Sequence, residues 1–256
     1  MNHIIKGLRA EYLKTHQTPV YWLLLLCPLA LNILVLLLLN EVGEKWIKGD
    51  VSPWKTLYYF NYNLLTQFFL ILFIAMMTSL INNVEHKGHS WKHLYALAQP
   101  RWAIYVNKSL YSVGMLFFVL CYFAVMQVFS GLILSLLRPD LGFQSRDLAL
   151  GFNFILMLKM FFTSLAIWSI HHWLTFRNRN FSLSIGIGLL MLIFITLTIN
   201  SREWINYIPY AYIKQIFGAK PGVAPPLFRQ EVWLGIGVGF AIWLGGLWDA
   251  RRRDIL

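Results

Sequence analysis

Six long apolar stretches, separated by short polar segments, dominate the pattern of hydrophobic and polar positions along the chain. A bilayer core needs about 20 mostly apolar helical residues, and all six stretches are apolar on every side. Barrel strands would be about ten residues long and would alternate strictly. The pattern therefore predicts an all-α integral membrane protein with a single transmembrane domain, residues 1–256. The predicted spans are residues 20–39, 63–81, 104–136, 148–176, 181–199 and 232–248.

The segment before the first span, residues 2–16, has its own helical pattern. At about 100° per residue, Ile4, Ile5, Leu8 and Tyr12 fall within one quadrant, and the basic residues lie elsewhere. This predicts an amphipathic helix in the membrane interface, with its basic residues toward anionic headgroups. The alternative is an ordinary basic N-terminus.

Two segments between spans are predicted to lie outside the membrane core. The loop over residues 41–62 carries Trp and Tyr residues, including Trp54 and Tyr58, which are typical of an interfacial belt. The segment 200–231 is too polar and too often broken by proline to span a membrane. Its middle, residues 204–217, is predicted to form a short helix on the outer surface.

Composition and charge support the membrane class. The 256 residues are 58% hydrophobic and 13% charged, whereas a soluble domain is about 25% charged. The net charge of +11 then indicates basic loops beside a membrane, with no nucleic-acid partner. If both termini are cytoplasmic, the inner segments carry 12 Lys and Arg residues and the outer segments nine. We therefore expect both termini on the cytoplasmic side.

Several catalytic motifs are absent from the sequence. There is no GxxxxGK[ST] phosphate loop, so ATP hydrolysis by that route is not expected on this chain. HExxH is absent, as is a GxSxG with plausible Asp and His partners. We expect no catalytic residues, no metal and no cofactor on this chain.

The histidines are the main candidates for redox or metal chemistry. His171 and His172 are adjacent in a predicted helix, so they point about 100° apart and do not share one ligand face. They are better interpreted as interfacial polar residues. His86, His89 and His93 have spacings of three and four, which one helix face could present to a metal, but they lie in a solvated basic loop.

Lys159 is the one basic residue deep in a predicted span. An ionisable group at that depth is a functional candidate, and Lys159 is therefore a candidate pathway residue. The alternative is that its side chain snorkels to the outer interface.

The loop between the second and third spans, residues 84–101, carries the most specific pattern. Trp91, Leu94, Tyr95 and Ala98 occupy positions i, i+3, i+4 and i+7 of one helical face, and Pro100 ends it. Such a helix can lie against the membrane or in a groove of a partner protein. The alternative is a solvated connecting loop.

This loop resembles that of the permease subunits of type-2 ABC exporters, most closely those of lantibiotic immunity and bacitracin resistance. In that family the loop reads roughly Glu, a basic-Gly pair, Trp, a Leu-rich turn, Pro, Arg, then Lys. The layout of the chain is also similar, with an interfacial N-terminal helix, six spans and a broken outer segment before the last span. The matching positions are Glu85, Lys87-Gly88, Trp91, Leu94, Pro100, Arg101 and Lys108.

The resemblance implies a permease of the bacterial cytoplasmic membrane that pairs with a second permease chain, identical or similar. It implies that a separate ABC ATPase binds ATP and Mg²⁺ and docks on residues 84–101, the coupling segment. The exported substrate would be peptide-like, amphipathic or lipid-like. The implied coupling residues are Glu85, Lys87, Trp91, Leu94, Pro100 and Arg101.

Two other classes of function remain open. One is a membrane redox enzyme that uses the histidines as ligands. The other is a membrane immunity protein that binds a peptide and needs no ATPase.

Overall fold

A computed structural model describes residues 2–16, 18–47, 51–87, 100–144, 147–178, 180–198, 205–217 and 226–252. Every regular element in these ranges is helical. A π-helical turn over Leu65–Phe69 joins α3 to α4 without a break. The main helices are α1 (Asn2–Thr15), α2 (Val20–Trp46), α3 (Pro53–Leu64), α4 (Leu70–Lys87), α5 (Arg101–Leu137), α6 (Leu150–Arg177), α7 (Phe181–Thr198) and α8 (Gln230–Arg252).

Six helical stretches are long and apolar enough to cross a membrane, which confirms the predicted all-α multi-pass class. The second is formed jointly by α3, the π-helical turn and α4. Because consecutive spans alternate in direction, their ends fall on two sides. We call the side that carries α1 the α1 side and the opposite one the far side. On the far side, Arg138 Nη2 lies 2.7 Å from Glu44 Oε1, joining the ends of α5 and α2.

The predicted outer loop over residues 41–62 is largely helical instead. Helix α2 continues to Trp46, and α3 begins at Pro53, whose fixed φ suits the first position of a helix. Trp54 and Tyr58 are buried rather than interfacial. The Trp54 Nε1–H donates to the Phe143 carbonyl at 3.1 Å, which satisfies the indole inside the fold.

The segment expected as a helix on the outer surface enters the bundle instead. The segment forms two short 3₁₀ turns, Ile205–Tyr207 and Pro209–Lys214, and the second packs against the π-helical turn, α6, α7 and α8. The consecutive residues Tyr210, Ala211, Tyr212 and Ile213 are all buried, which a helix lying on a surface would not allow. This segment is therefore part of the protein core.

Helices α6 and α8 pack closely because α8 has glycines where the two backbones meet. A Cβ at Gly235 would lie 2.6 Å from the Phe162 carbonyl oxygen, and one at Gly239 would lie 2.9 Å from the Leu165 carbonyl carbon. Small residues four apart let two membrane helices approach at backbone distance. The close packing depends on the missing side chains.

Charged groups join the same two helices near both ends. Toward the far side, Lys159 Nζ lies 2.9 Å from Glu231 Oε1. On the α1 side, the Trp173 Nε1–H donates to Asp249 Oδ2 at 3.0 Å. With the glycine contacts between them, these bonds make α6 and α8 one rigid pair.

Replacing Gly235 with alanine is expected to destabilise the protein by about 1–3 kcal/mol, because the new methyl group overlaps the α6 main chain. Gly237→Ala is the matched control, since a Cβ at Gly237 meets nothing within 4 Å. Both changes bring the same helix-propensity gain of about 1 kcal/mol. The measurement is the thermal unfolding midpoint in detergent, and equal midpoints for the two variants would contradict the packing argument.

Candidate functional site

Two lysines and two glutamates form a closed ring of ion pairs on the α1 side. Lys108 Nζ lies 2.7 Å from Glu85 Oε2 and 2.9 Å from Glu11 Oε2. Lys14 Nζ lies 3.1 Å from Glu11 Oε1 and 3.2 Å from Glu85 Oε1. Each carboxylate thus bridges both ammonium groups with different oxygens. We call Glu11, Lys14, Glu85 and Lys108 the charge ring, and its formal charges sum to zero.

Most of the charge ring is shielded from solvent. The Lys108 side chain is fully buried and that of Glu85 is 1% exposed, whereas 30% of the Lys14 side chain is exposed. A buried charge is tolerated only when partners replace its hydration. Burial would raise the pKa of the Glu11 carboxyl, but the Lys108 and Lys14 ammonium groups outweigh it and hold that pKa below its ordinary value of 4.5.

The charge ring joins three helices around the coupling segment. Glu11 and Lys14 are on one face of α1, Glu85 is in the last turn of α4, and Lys108 is in the second turn of α5. The chain leaves α4 at Lys87 and returns at the start of α5. Both ends of the segment between these helices, and α1 with them, are therefore fixed to one cluster of charges.

Sequence features next to the charge ring bring α1 against α5. Gly7 faces α5, and a Cβ at this position would overlap the Asn107 amide. Thr15 donates its hydroxyl hydrogen to the Glu11 carbonyl at 2.8 Å and contacts the Tyr111 hydroxyl. The Tyr111 hydroxyl in turn lies 3.0 Å from that of Tyr21 on α2. A chain of hydroxyl groups thus extends the junction to α2.

Lys159 does not snorkel to an interface. Its side chain is fully buried, and Nζ contacts Glu231 Oε1 at 2.9 Å and donates to the Pro226 carbonyl at 3.2 Å. The residue therefore fixes α6 to the first turn of α8 and to the chain just before it.

The two adjacent histidines are buried in the bundle, which corrects the expectation that they are interfacial. His171 Nδ1 lies 2.8 Å from Ser184 Oγ on α7, and its Nε2 lies 3.1 Å from the Tyr210 hydroxyl. His172 Nε2 lies 2.9 Å from Ser109 Oγ on α5. As expected from adjacent helical positions, the two rings bind different partners.

Metal binding finds no support in the described part of the chain. Across these residues, no group of three or more His, Cys, Asp or Glu side chains is placed to hold a metal ion. His89 and His93 lie outside the described residues, as does the side chain of His86.

Comparison with known protein families identifies the family of the chain. The family model described as "ABC-2 family transporter protein" matches residues 7–195, about three quarters of the chain. The chain belongs to the ABC-2 transporter family. No curated protein and no solved structure was found to match it.

This ABC-2 family member is thus a multi-pass membrane permease of an ABC transporter, and the family implies an ABC ATPase partner. The matched range begins in α1, ends near the end of α7 and includes all four residues of the charge ring. The junction between α1, α4 and α5 therefore belongs to the part of the permease that the family defines.

The predicted coupling residues of this ABC-2 permease are only partly described. Glu85 points inward into the charge ring, and Pro100 is exposed immediately before α5. Lys87 ends α4 and Arg101 begins α5, but their side chains lie outside the described residues. Trp91 and Leu94 also lie outside them, with the rest of residues 88–99. The coupling role stays a prediction.

Sequence reasoning missed Glu11 and Lys14 as partners of Glu85. Their spacing of three on an interfacial helix was a visible signal for a local ion pair. The contact of Lys14 with Glu85 spans 71 positions of the chain, and that of Glu11 with Lys108 spans 97. A single sequence carries no signal for contacts between positions so far apart.

Replacing Lys108 with methionine is expected to destabilise this ABC-2 permease by about 3–5 kcal/mol, because two buried carboxylates lose their shared partner. Adding Glu11→Gln and Glu85→Gln to the same chain should recover most of this loss, since the one remaining charge of the ring, Lys14, has a side chain 30% exposed and can be hydrated. Thermal unfolding in detergent measures both effects. A single variant as stable as the wild type would show that the charge ring is not formed.

Acid is expected to loosen the attachment of α1. A carboxyl whose pKa is lowered by folding contributes stability above its unfolded pKa, and that stability is lost as the pH falls through the folded value. The wild-type unfolding midpoint should therefore fall as the pH drops below 4.5, the ordinary value for Glu11. The unfolding midpoint of Glu11→Gln should be lower than that of the wild type at neutral pH, and it should fall less over the same pH range. Parallel pH profiles of the two proteins would contradict this role of Glu11.

Proposed function

We propose that the chain is the membrane-spanning subunit of an ATP-driven exporter, with both termini cytoplasmic, in a bacterial cytoplasmic membrane. A separate ATPase subunit docks on residues 84–101 and supplies the energy, because this chain carries no phosphate loop. The observation that supports this proposal is the charge ring, which fixes both ends of the coupling segment and α1 to one buried cluster.

The charge ring suits the transmission of a push. Ion pairs of 2.7–3.2 Å between nearly rigid helices leave little slack, and packed protein interiors have low compressibility. ATP-driven closure of an ATPase dimer would press on the coupling segment, and its two ends would carry the displacement into α4 and α5. Through Glu11 and Lys14 the same displacement would reach α1, so three elements would move together.

The proposed assembly contains a second permease chain of the same or a similar kind. Apolar side chains cover the exposed faces of two membrane helices, including Leu37 on α2 and Leu190 on α7. Such faces suit lipid or another apolar helix.

The proposed substrate is a peptide-like or amphipathic molecule. The proposed subgroup is that of lantibiotic-immunity and bacitracin-resistance permeases, and the motif in residues 85–108 supports it.

Lys159 remains the proposed pathway residue. Its bond to Glu231 joins α6 to the start of α8 toward the far side, where an exporter releases its substrate. Separation of these two groups would open the bundle at that end and expose two charges to an amphipathic substrate.

Among the residues that the structure describes, neither alternative function gains a supporting contact. A histidine-based redox site needs ligands that face one another, whereas His171 and His172 bind different hydroxyl groups. An immunity protein without an ATPase would leave the coupling segment without a mechanical role.

The test is capture of an ATPase by the full chain. The permease is co-expressed with candidate ABC ATPase subunits and purified in detergent, as wild type, Trp91→Ala and Trp102→Ala. Trp91 is in the predicted docking face, whereas Trp102 is the matched control, 42% exposed on α5 outside that face. We expect Trp91→Ala to weaken capture by about 30-fold, typical of a buried aromatic anchor at an interface, and Trp102→Ala to leave it unchanged.

The outcomes separate the two levels of the proposal. A well-folded wild-type chain that captures no ATPase would reject the exporter. Capture that Trp91→Ala does not weaken would keep the exporter but reject docking through this face of the coupling segment.

A further inference from the structure

An apolar groove runs between α5, α6 and α8. It encloses about 280 Å³ and opens to the surface of the bundle beside the exposed side chains of Leu110 and Phe240. Gly239, which packs against the α6 main chain, lies in its wall. All the residues that line it belong to candidate membrane spans, so its opening faces the bilayer.

The hydrogen-bond donors in the wall of the groove are already used within the protein. Its lining side chains with polar atoms are Ser109, Ser169, Trp168 and Trp243. The indole N–H of Trp168 donates to the Ser112 hydroxyl at 3.0 Å, and that of Trp243 donates to the Ser109 hydroxyl at 2.9 Å. The hydroxyls of Ser109 and Ser169 each donate to a carbonyl of their own helix at 2.8 Å. A peptide or sugar would leave its own polar groups unpaired here. The wall therefore suits a hydrocarbon chain.

The size of the groove also suits part of a lipid acyl chain. A volume of 280 Å³ holds roughly nine methylene groups, each about as large as a water molecule at ~30 Å³. Hydrocarbon alone gives little selectivity, because the groove replaces one apolar environment by another. Any preference for a particular lipid must then come from the headgroup.

Helix α8 places a cation at the level where that headgroup would lie. Arg251 follows Phe240 by eleven residues, about three turns, so it lies on nearly the same face and roughly 16 Å nearer the α1 side. It is exposed in the last turn of the helix. Trp102 and Trp248 are also exposed near the α1-side ends of their helices, as expected of residues at a membrane interface.

We propose that the groove between α5, α6 and α8 binds one acyl chain of an anionic phospholipid whose phosphate lies against Arg251. The apolar wall accepts the chain, and the guanidinium at the α1-side end selects a negative headgroup. This lipid is a bound component of the permease rather than its transported substrate. The proposal does not depend on an ATPase.

The experiment compares two lipids with identical acyl chains on the purified full-length chain. Dioleoyl phosphatidylglycerol and dioleoyl phosphatidylcholine are titrated into delipidated protein, and native mass spectrometry counts the lipids retained. The wild type should retain phosphatidylglycerol more tightly than phosphatidylcholine. Arg251→Gln should weaken retention of phosphatidylglycerol about fivefold, the worth of one basic residue at an anionic surface. It should weaken retention of phosphatidylcholine less, because the choline ammonium group offsets the charge of that lipid's phosphate. Arg252→Gln is the matched control, because its guanidinium stacks on Trp248 at 3.9 Å.

A second pair of variants tests the groove itself. Val113→Phe fills it and should reduce retention of both lipids, whereas Leu190→Phe, at a 68% exposed position on α7, should not. Equal retention of the two lipids by the wild type would overturn the headgroup contact. Unchanged lipid retention by Val113→Phe would overturn the groove. A Val113→Phe chain that loses its dimer while keeping its lipids would identify the groove as an interface between copies.

Discussion

A charged lysine can be buried in a membrane protein only if polar partners replace its lost hydration, and for Lys108 these partners are carboxylates on two other helices. Glu85 and Glu11 each use one oxygen for Lys108 and the other for Lys14. Removing any one member leaves a charge without its full set of partners. The positions of α1, α4 and α5 therefore depend on one another. The two ends of the coupling segment, where α4 ends and α5 begins, are fixed by the same cluster.

The rest of the bundle is built around a second unit of different chemistry. Helices α6 and α8 meet at backbone distance through Gly235 and Gly239, and charged groups join them near both ends. The buried 3₁₀ segment packs against this pair, with the Tyr210 hydroxyl on His171. A displacement that enters at the charge ring thus meets a unit that resists internal change. Hydrogen bonds from Trp168 on α6 and Trp243 on α8 to serine hydroxyls of α5 join this unit to the charge-ring helices.

The sequence predicted what depends on local pattern. Long apolar runs gave the six spans, and the quadrant of Ile4, Ile5 and Leu8 indicated a separate helix α1. Trp54 was misplaced because an amphipathic ring suits both an interface and a core with a carbonyl partner, and only packing decides between them. The spacing of Gly235 and Gly239 was a readable signal for helix packing that the hydrophobic pattern did not use. The charge ring joins positions far apart in sequence, so no local pattern reveals it.

The neutrality of the charge ring has an electrical consequence. A single lysine carried through the whole of a 100 mV membrane potential changes energy by about 2.3 kcal/mol. The charge ring holds two positive and two negative groups within ion-pair distance, so its members move through the field with no net charge. The charge ring itself therefore adds no electrical work when the junction between α1, α4 and α5 shifts. An unpaired lysine at the position of Lys108 would bring a net charge to this joint, whereas the paired cluster brings none.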